Sequence, residues 1–427
     1  MTGASAAAPV VVQKYGGTSV ATAEHICRIA DRVARAREET QRLAVVLSAM
    51  GKTTDELVSL AHQVSSEPRG REMDLLLATG EQVSVSLLGL ALQNRGIPAV
   101  SLTASQCGIR TDDAYNIARI ESIDTARINA EFEHGRVVII TGFQGITRDQ
   151  EVTTLGRGGS DITGAAVAAA VGATVCEICT DVDGVMSADP RVVPHATRWV
   201  EMTYEEAIEM ASSGAKVLHP RAAEVCMAYR IPIHVRSSFH NGEGTWIRGA
   251  EEMVMEQAAV VGVNKETKIA KVTLIDVPDR PGLAAEVFQD LAARSINVRL
   301  IIQSASAAGI GRITFVLDTE YVDATRPLID GWKARGLAQS DEVDPDVAKI
   351  SIVGSRLAST PSLAARMFAV LAREGINIDC ISSSEMKIAC VINAVDVERA
   401  VQAVHDEFFP LGETADAAAS AERQEVK

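Results

Sequence analysis

Three short clusters of the 427-residue chain carry residues suited to holding a phosphorylated ligand. Lys14 closes the apolar run PVVVQKYG and is followed by Gly16, Gly17 and a Thr-Ser pair that opens a helix. Glycines let backbone approach a phosphate, a helix N-terminus supplies unpaired N–H groups, and the lysine adds positive charge. The same residues also suit a plain strand-to-helix turn with a solvated lysine. Gly51-Lys52-Thr53 imitates the end of a P-loop, but Val46 stands where that motif needs its first glycine, which excludes it. Ser48 and Thr54 flank the turn after the second strand, where α/β sheets place ligand contacts.

The second cluster is TLGRGGSD, Thr154 to Asp161, running into the helix-like ITGAAVAAAVGA. Its glycines surround Arg157, so backbone amides and a guanidinium can meet an anion, with Ser160 and Asp161 at the helix start. A dinucleotide fingerprint would need glycine at position 161. Asp161 suits N-capping as well as catalysis. The third cluster, TDVDGVMSADPR from Thr180 to Arg191, sets three aspartates and an arginine after a strand, an arrangement suited to a nucleotide and its Mg²⁺. Asp-Gly and Asp-Pro turns explain the same residues. Lys216 in SSGAKVLHP and Glu81 in LLLATGEQVS read as ligand contacts or as solvated charges.

Elements that could position these residues alternate through residues 1–250. Short β-branched runs (PVVVQKYG, RLAVVLSAM, IPAVSLTA, RVVIITGFQG, ATVCEICTD, IPIHVRS) are separated by helix-like stretches at 22–39, 54–65, 72–95, 161–171 and 203–213. That alternation predicts a mostly parallel sheet with helices on both faces. Further on, PGLAAEVFQDLAARSINVRLIIQS from Pro281 aligns at an offset of 80 with PSLAARMFAVLAREGINIDCISSS from Pro361, with 11 of 24 positions identical. Each copy follows an alternating strand (AKVTLIDV, AKISIVGS) and precedes another strand (RITFVLDT, MKIACVIN) and a helix (323–335, 396–407), which predicts two βαββαβ units. The pattern divides the chain into 1–250, 251–345, 346–410 and a mobile tail, 411–427, with 238–266 as the linker.

Composition narrows the partners. Hydrophobic residues make up 47% and charged ones 23%, which excludes a disordered chain or a coiled-coil rod. A net charge of −15 disfavours nucleic acid and anionic membrane surfaces. Seven scattered cysteines, the absence of a basic n-region, and no apolar run near the ~20 residues that span a bilayer point to a cytoplasmic protein. Cys176 and Cys179 form a CxxC, but residues three apart on a strand face opposite ways, so metal or redox chemistry is not expected there.

KYGGTS, SAMG with TDEL, TGE, TGFQG, TLGRGGSD, TDVDGV with ADPR, and GAKVLHP occur in one order across about residues 10–410. Together they resemble the aspartate kinases, members of the amino-acid kinase family with two C-terminal ACT domains, themselves ferredoxin-like βαββαβ folds. The resemblance implies ATP- and Mg²⁺-dependent phosphorylation of the L-aspartate side chain to 4-phospho-L-aspartate, the entry to lysine, threonine, methionine and diaminopimelate synthesis. It implies that Lys14 and Asp161 are catalytic and that Ser48, Thr54, Glu81, Gly142, Phe143, Arg157, Gly158, Gly159 and Ser160 surround aspartate. Lys14, Gly16, Gly17, Thr180, Asp181, Met186, Asp189, Arg191 and Lys216 would hold ATP, with Mg²⁺ carried on its phosphates and no protein side chain as a metal ligand.

The carboxylate nucleophile is already ionised at neutral pH, so catalysis rests on positioning and charge neutralisation, with Asp161 orienting Lys14 or the substrate ammonium. Arg157 can grip the α-carboxylate and Glu81 the ammonium, which selects a free amino acid. Met186 replaces the tyrosine usual beside adenine. In the ACT repeats the resemblance assigns effector contacts to Asp279, Gly282, Asn297, Gln303, Asn377, Ile378 and Ser384, for lysine or threonine. Arg299 stands where many relatives have Asp, and would repel an effector ammonium unless an acid pairs with it. Arg356 and Ser362 replace small residues of the second pocket, so feedback is expected to be weakened or altered. The resemblance further implies a homo-oligomer built through the ACT domains, and a shorter regulatory chain from an internal start at Met253 or Met255. Two other readings are a kinase of another free amino acid or carboxylate, and a catalytically silent amino-acid sensor.

Overall fold

A computed structural model describes residues 8–215, 217–253, 258–305 and 309–410, which form two compact units. Lys216, Met255 and the 411–427 tail lie outside the described residues.

The first unit holds residues up to Met186 together with 197–212 and 217–253. Its strands are β1 (Val10–Tyr15), β2 (Arg42–Leu47), β3 (Ala99–Leu102), β4 (Ile109–Thr111), β5 (Ile120–Ile123), β6 (Val137–Thr141), β7 (Gln144–Ile146), β8 (Val152–Thr154), β9 (Val175–Thr180), β10 (Glu201–Thr203), β11 (Ile233–Ser237) and β12 (Thr245–Arg248). Eight of them make one sheet in the order β10-β12-β11-β9-β1-β2-β6-β3, parallel throughout except where β12 runs against β11. β2 and β6 are near-continuous apolar runs, LAVVL and VVII, because both faces of the sheet are covered, as in parallel sheets generally. Helices α1 (Ala23–Glu39), α2 (Thr53–Val64), α3 (Arg71–Leu77), α4 (Thr79–Gln93), α5 (Ala126–Glu133), α6 (Gly159–Val171), α7 (Tyr204–Ser212) and α8 (Pro220–Tyr229) fall between the strands. α1 shows why they form: the Thr22 hydroxyl caps it by accepting from the His25 N–H, and Ile26, Ile29, Ala30 and Val33 bury one stripe against the sheet core.

Every strand expected from the pattern is present, but the reading missed the small sheet β5-β4-β7-β8, the edge strand β10 and its neighbour β12, and helices α5 and α8. The expected helix at 72–95 is two helices meeting at Ala78. Taken together, Arg71–Gln93 is 23 residues long and apolar enough to cross a membrane, contrary to the expectation of no such run; half of its most apolar window is buried inside the unit, as in a core helix. The 238–266 stretch is no simple linker, since β12 lies inside it and the next strand starts at Gly262. Cys176 and Cys179 are both buried and unbridged.

The second unit contains 187–196, 213–215 and the chain from 258. It comprises β13 (Gly262–Pro278), α9 (Leu283–Ala292), β14 (Val298–Ala305), β15 (Ile310–Asp318), α10 (Val322–Ala334), β16 (Ser340–Val353), α11 (Pro361–Arg373), β17 (Cys380–Ser383), β18 (Lys387–Asn393) and α12 (Val397–Phe408). The two repeats share a single six-stranded sheet, β14-β15-β13-β16-β18-β17. β13 and β16 each serve both repeats. Residues 269–278 of β13 pair with β15 and with the start of β16, while Gly262–Glu266 pairs with Lys349–Val353. The second repeat therefore takes its fourth strand from chain that precedes the first, rather than from chain after α12. Ala259, Val260 and Val263 accordingly sit in the core formed by α11, α12 and the second half of β16. Gly354 permits this crossing: a Cβ there would lie 1.9 Å from the Ala259 carbonyl oxygen.

Candidate active site

The carboxyl ends of β1, β2, β6 and β9 lie side by side and place the first two sequence clusters together. Beyond β1, the Ser48 N–H donates to the Tyr15 carbonyl (3.1 Å), and the Gly142 N–H donates to the Leu47 carbonyl (2.9 Å). Gly142 in turn backs onto the start of α6, where a Cβ would fall 2.7 Å from Ser160 Oγ and 2.8 Å from the Leu47 oxygen. Lys14, Ser48, Gly142 and Ser160 thus line one rim.

Lys14 is buried, and its Nζ lies 2.5 Å from Asp161 Oδ1. Gly164, one turn along α6, leaves room for the lysine stem, since a Cβ there would meet Lys14 Cβ at 3.1 Å. Gly16 lies against the ammonium, 3.4 Å from Nζ to a built Cβ, and Gly17 is packed against the Ala49 and Gly51 oxygens. The solvated-lysine alternative is not what the fold adopts. N-capping by Asp161 is not either: Gly158 takes the cap position, and the aspartate turns to Lys14.

Glu81, in the first turn of α4, is 2% exposed. Its Oε1 accepts from the Ala49 N–H at 3.0 Å, while Oε2 is buried with no hydrogen-bond partner. Burial raises its carboxyl to about 7, partly offset by the Ala49 N–H. Gly80 beside it has its ideal Cβ 2.8 Å from Ala49 Cβ, so the helix start and the end of β2 are in close contact. A buried carboxylate with an open oxygen is an unsatisfied group that a cation can complete.

The glycine cluster is held in a conformation that L residues resist. Gly156 and Gly158 have φ of 78° and 74°, and Gly158 lies under the His219 ring, 2.2 Å from a built Cβ to Cδ2. Arg157, between them, is exposed. Phe143 also has positive φ (70°), fixed by its N–H to Thr163 Oγ1 at 3.1 Å and by its carbonyl, which accepts from the Leu155 N–H. Thr54 sits half-buried in the first turn of α2. Thr180, at the end of β9, donates its hydroxyl to Asp181, which is exposed. Met186 forms a bridge with Arg198.

Asp189 and Arg191 fall in the second unit, where Arg191 makes a two-pronged ion pair with Asp189 that holds the aspartate below the usual carboxylate range. Sequence reasoning missed Asp74, a fully buried carboxylate that accepts from the Asn116 N–H, the Thr154 N–H and the Thr154 hydroxyl, tying α3 to the strand that feeds the glycine loop. Its only signal was an acid within an apolar helix pattern. His219, lowered below its usual pKa by burial, and Arg221, which donates to the Leu155 and Ala118 carbonyls, brace the same loop.

In the second unit the effector candidates Asp279, Gly282, Asn297, Gln303, Asn377 and Ser384 are exposed, and Ile378 is half-buried. Arg299 does not stand as a free cation. It pairs with Asp318 (2.8 Å) and with Glu266 (2.8 Å), and Glu266 also meets the buried Lys349 at 2.5 Å. In the second repeat Asp379 occupies the place of Arg299 and pairs with Lys271 at 2.5 Å.

A parallel sheet whose strand ends carry a lysine and a glycine-rich helix start, followed by two fused βαββαβ repeats, defines an amino acid kinase with ACT domains. The amino acid kinase family model matches residues 9–237, and ACT domain models match 271–323 and 350–408. The chain is 46% identical over 400 residues to aspartokinase 2 of Bacillus subtilis, covering 93% of this chain and 97% of that one. It is 46% identical over 406 residues to an aspartokinase of Thermus thermophilus, covering 93% and 98%. Among solved structures it is similar to E. coli aspartokinase III in complex with aspartate and ADP, with a TM-score of 0.79 and 29% identity over 94% of this chain and 100% of that one. The chain belongs to the aspartokinase family.

Proposed function

We propose that the cleft of the first unit binds L-aspartate and ATP and transfers the γ-phosphoryl group to the aspartate side chain, giving 4-phospho-L-aspartate and ADP. The observation that carries the assignment of the acceptor is Glu81. Its buried, partnerless Oε2 offers an ammonium an ionic contact that an acylated amino group could not supply. Arg157, on its glycine-flanked loop, takes the α-carboxylate.

The nucleophile needs no general base, because a carboxylate is ionised at neutral pH. The chemical problem is bringing it up to a polyphosphate. Lys14 neutralises charge on the transferring group, Asp161 holds the lysine ammonium in place, Gly16 leaves room for a phosphate to approach, and the start of α6 presents backbone N–H groups to phosphate oxygens. Within the first unit, Thr180, Asp181 and Met186 hold the rest of the nucleotide. A Mg²⁺ ion would be carried on the nucleotide phosphates, with water filling its remaining positions, as this ion gives up water reluctantly. When bound, it neutralises phosphate charge.

The ACT repeats would bind an amino-acid effector. The pairing of Arg299 with Glu266 and Asp318 removes the repulsion expected of a bare cation and leaves no unpaired acid at that position for an effector ammonium, which supports altered feedback. Titrating activity against lysine and threonine, alone and together, tests this; concerted inhibition at sub-millimolar levels would overturn it. The reaction itself is tested by trapping the acyl phosphate as a hydroxamate with aspartate, glutamate and N-acetylaspartate as acceptors. Aspartate alone should react, and equal turnover of the N-acetyl compound would remove Glu81 from the assigned role.

A further inference from the structure

Three side chains of the second unit converge where the 187–196 segment packs on α12. His195 Nε2 stands 2.8 Å from Asp406 Oδ1, and the His195 and His405 rings meet edge to face at 5.3 Å between centroids. One ligand atom from each of His195, His405 and Asp406 falls within 4.8 Å of the others, the one such trio among the described residues. His405 is fully buried, its Nε2 lies 2.8 Å from Ser187 Oγ, and its Nδ1 is buried with no hydrogen-bond partner.

The last point separates this cluster from an ordinary surface ion pair. If the Nε2–H donates to Ser187, the tautomer is fixed and Nδ1 presents a bare lone pair in a dry setting. Metal-binding histidines are commonly prepared in this way, with the second ring nitrogen anchored by a neighbour. We propose that His195, His405 and Asp406 bind Zn²⁺, with water completing the coordination. Two imidazoles and a carboxylate favour Zn²⁺ over Mg²⁺, which prefers oxygen alone. Bonds of about 2.0–2.2 Å around a tetrahedral ion set ligand atoms roughly 3.3–3.5 Å apart. The His195–Asp406 contact must open slightly and the widest separation must close. Both movements fall to side chains that are 33% and 56% exposed, while the buried His405 stays in place. The exposed pair also gives the ion its way in.

An ion held here would staple 187–196 to the last helix of the second repeat, adding to the Gln402 side-chain bond to the Val192 carbonyl and to the packing of Val192 and Val193 in that core. The proposal does not depend on the assignment of the phosphoryl-transfer site.

The test uses the full chain, stripped of metal with a chelator and free of nucleotide, titrated with Co²⁺ and then with Zn²⁺. The expected result is one equivalent of Co²⁺ giving the intense visible bands of a tetrahedral site, displaced by one equivalent of Zn²⁺, with a rise in Tm on Zn²⁺ addition. His195→Ala and Asp406→Ala should each weaken Zn²⁺ binding at least tenfold and leave the metal-free Tm where it was. These exposed positions carry the test because a change at the buried His405 could unfold the helix. Absence of the cobalt bands from the wild-type chain, or their persistence in the His195→Ala/Asp406→Ala double variant, overturns the proposal.

Discussion

Replacing Glu81 by Gln should make the substrate-free protein more stable at alkaline pH. The folded chain holds this carboxyl at about 7 against an ordinary 4.5, chiefly through burial. A raised acid means the folded state binds more protons than the unfolded state between those values, so stability is present in full below pH 4.5 and is lost as pH rises through 7. The two values differ by an amount worth about 3 kcal/mol when both states are ionised, and linkage leaves about 1 kcal/mol of that loss already incurred at pH 5. Glutamine keeps the acceptor for the Ala49 N–H but leaves its own amide N–H groups where Oε2 lacks a partner, which costs about 1–2 kcal/mol at every pH. The net expectation is near-equal stability at pH 5 and a gain of about 2 kcal/mol at pH 8 for Glu81→Gln. Urea denaturation of both proteins at the two pH values, without aspartate, measures it. A variant no more stable at pH 8 than at pH 5, relative to wild type, would refute the desolvation argument. The same substitution should raise KM for aspartate much more than KM for ATP.

Lys14→Met should lower kcat by about 10³-fold or more in a coupled ADP-release assay, because it removes the charge facing the transferring group. Asp161→Asn should cost less, about 10–100-fold, with the loss again in kcat, since it leaves the lysine present but loosely held. Gly158→Ala places a Cβ 2.2 Å from the His219 ring at φ 74°, and should reduce kcat/KM for aspartate together with Tm; unchanged kinetics would show that the loop relaxes freely. Lys349→Met leaves Glu266 buried beside Arg299 alone and should destabilise the second unit by about 3 kcal/mol, read as a lowered denaturation midpoint.

The central sheet was legible because its strands are long, β-branched and bounded by glycine turns, and because a two-sided buried strand announces itself as an unbroken apolar run. The strands that escaped notice, such as Ile109–Thr111 and Gln144–Ile146, are three residues long and carry too little pattern. Lys14 and Asp161 could be picked out by type and spacing, and Gly142 through the resemblance, which also offered Lys14 as one of two groups for Asp161 to orient; residue types alone did not separate that role from a helix cap, and the fold does. Glu81 was ambiguous for a similar reason, since an acid in the first turn of a helix is ordinary, and only the packing of Gly80 on Ala49 shows it to be enclosed. Arg299 shows what a pattern cannot supply. Its partners Glu266 and Asp318 lie 33 and 19 residues away and belong to two other strands.

The exchange of strands between the repeats has a mechanical outcome. Because β13 and β16 run unbroken from one ACT repeat into the other, no free connection at which the pair could swivel joins them among the described residues, and a displacement in either half passes along covalent backbone to its twin. The same wiring governs dissection: a fragment cut at residue 346 would lack the edge that Gly262–Glu266 supplies, whereas a chain begun at Met253 would carry both halves whole.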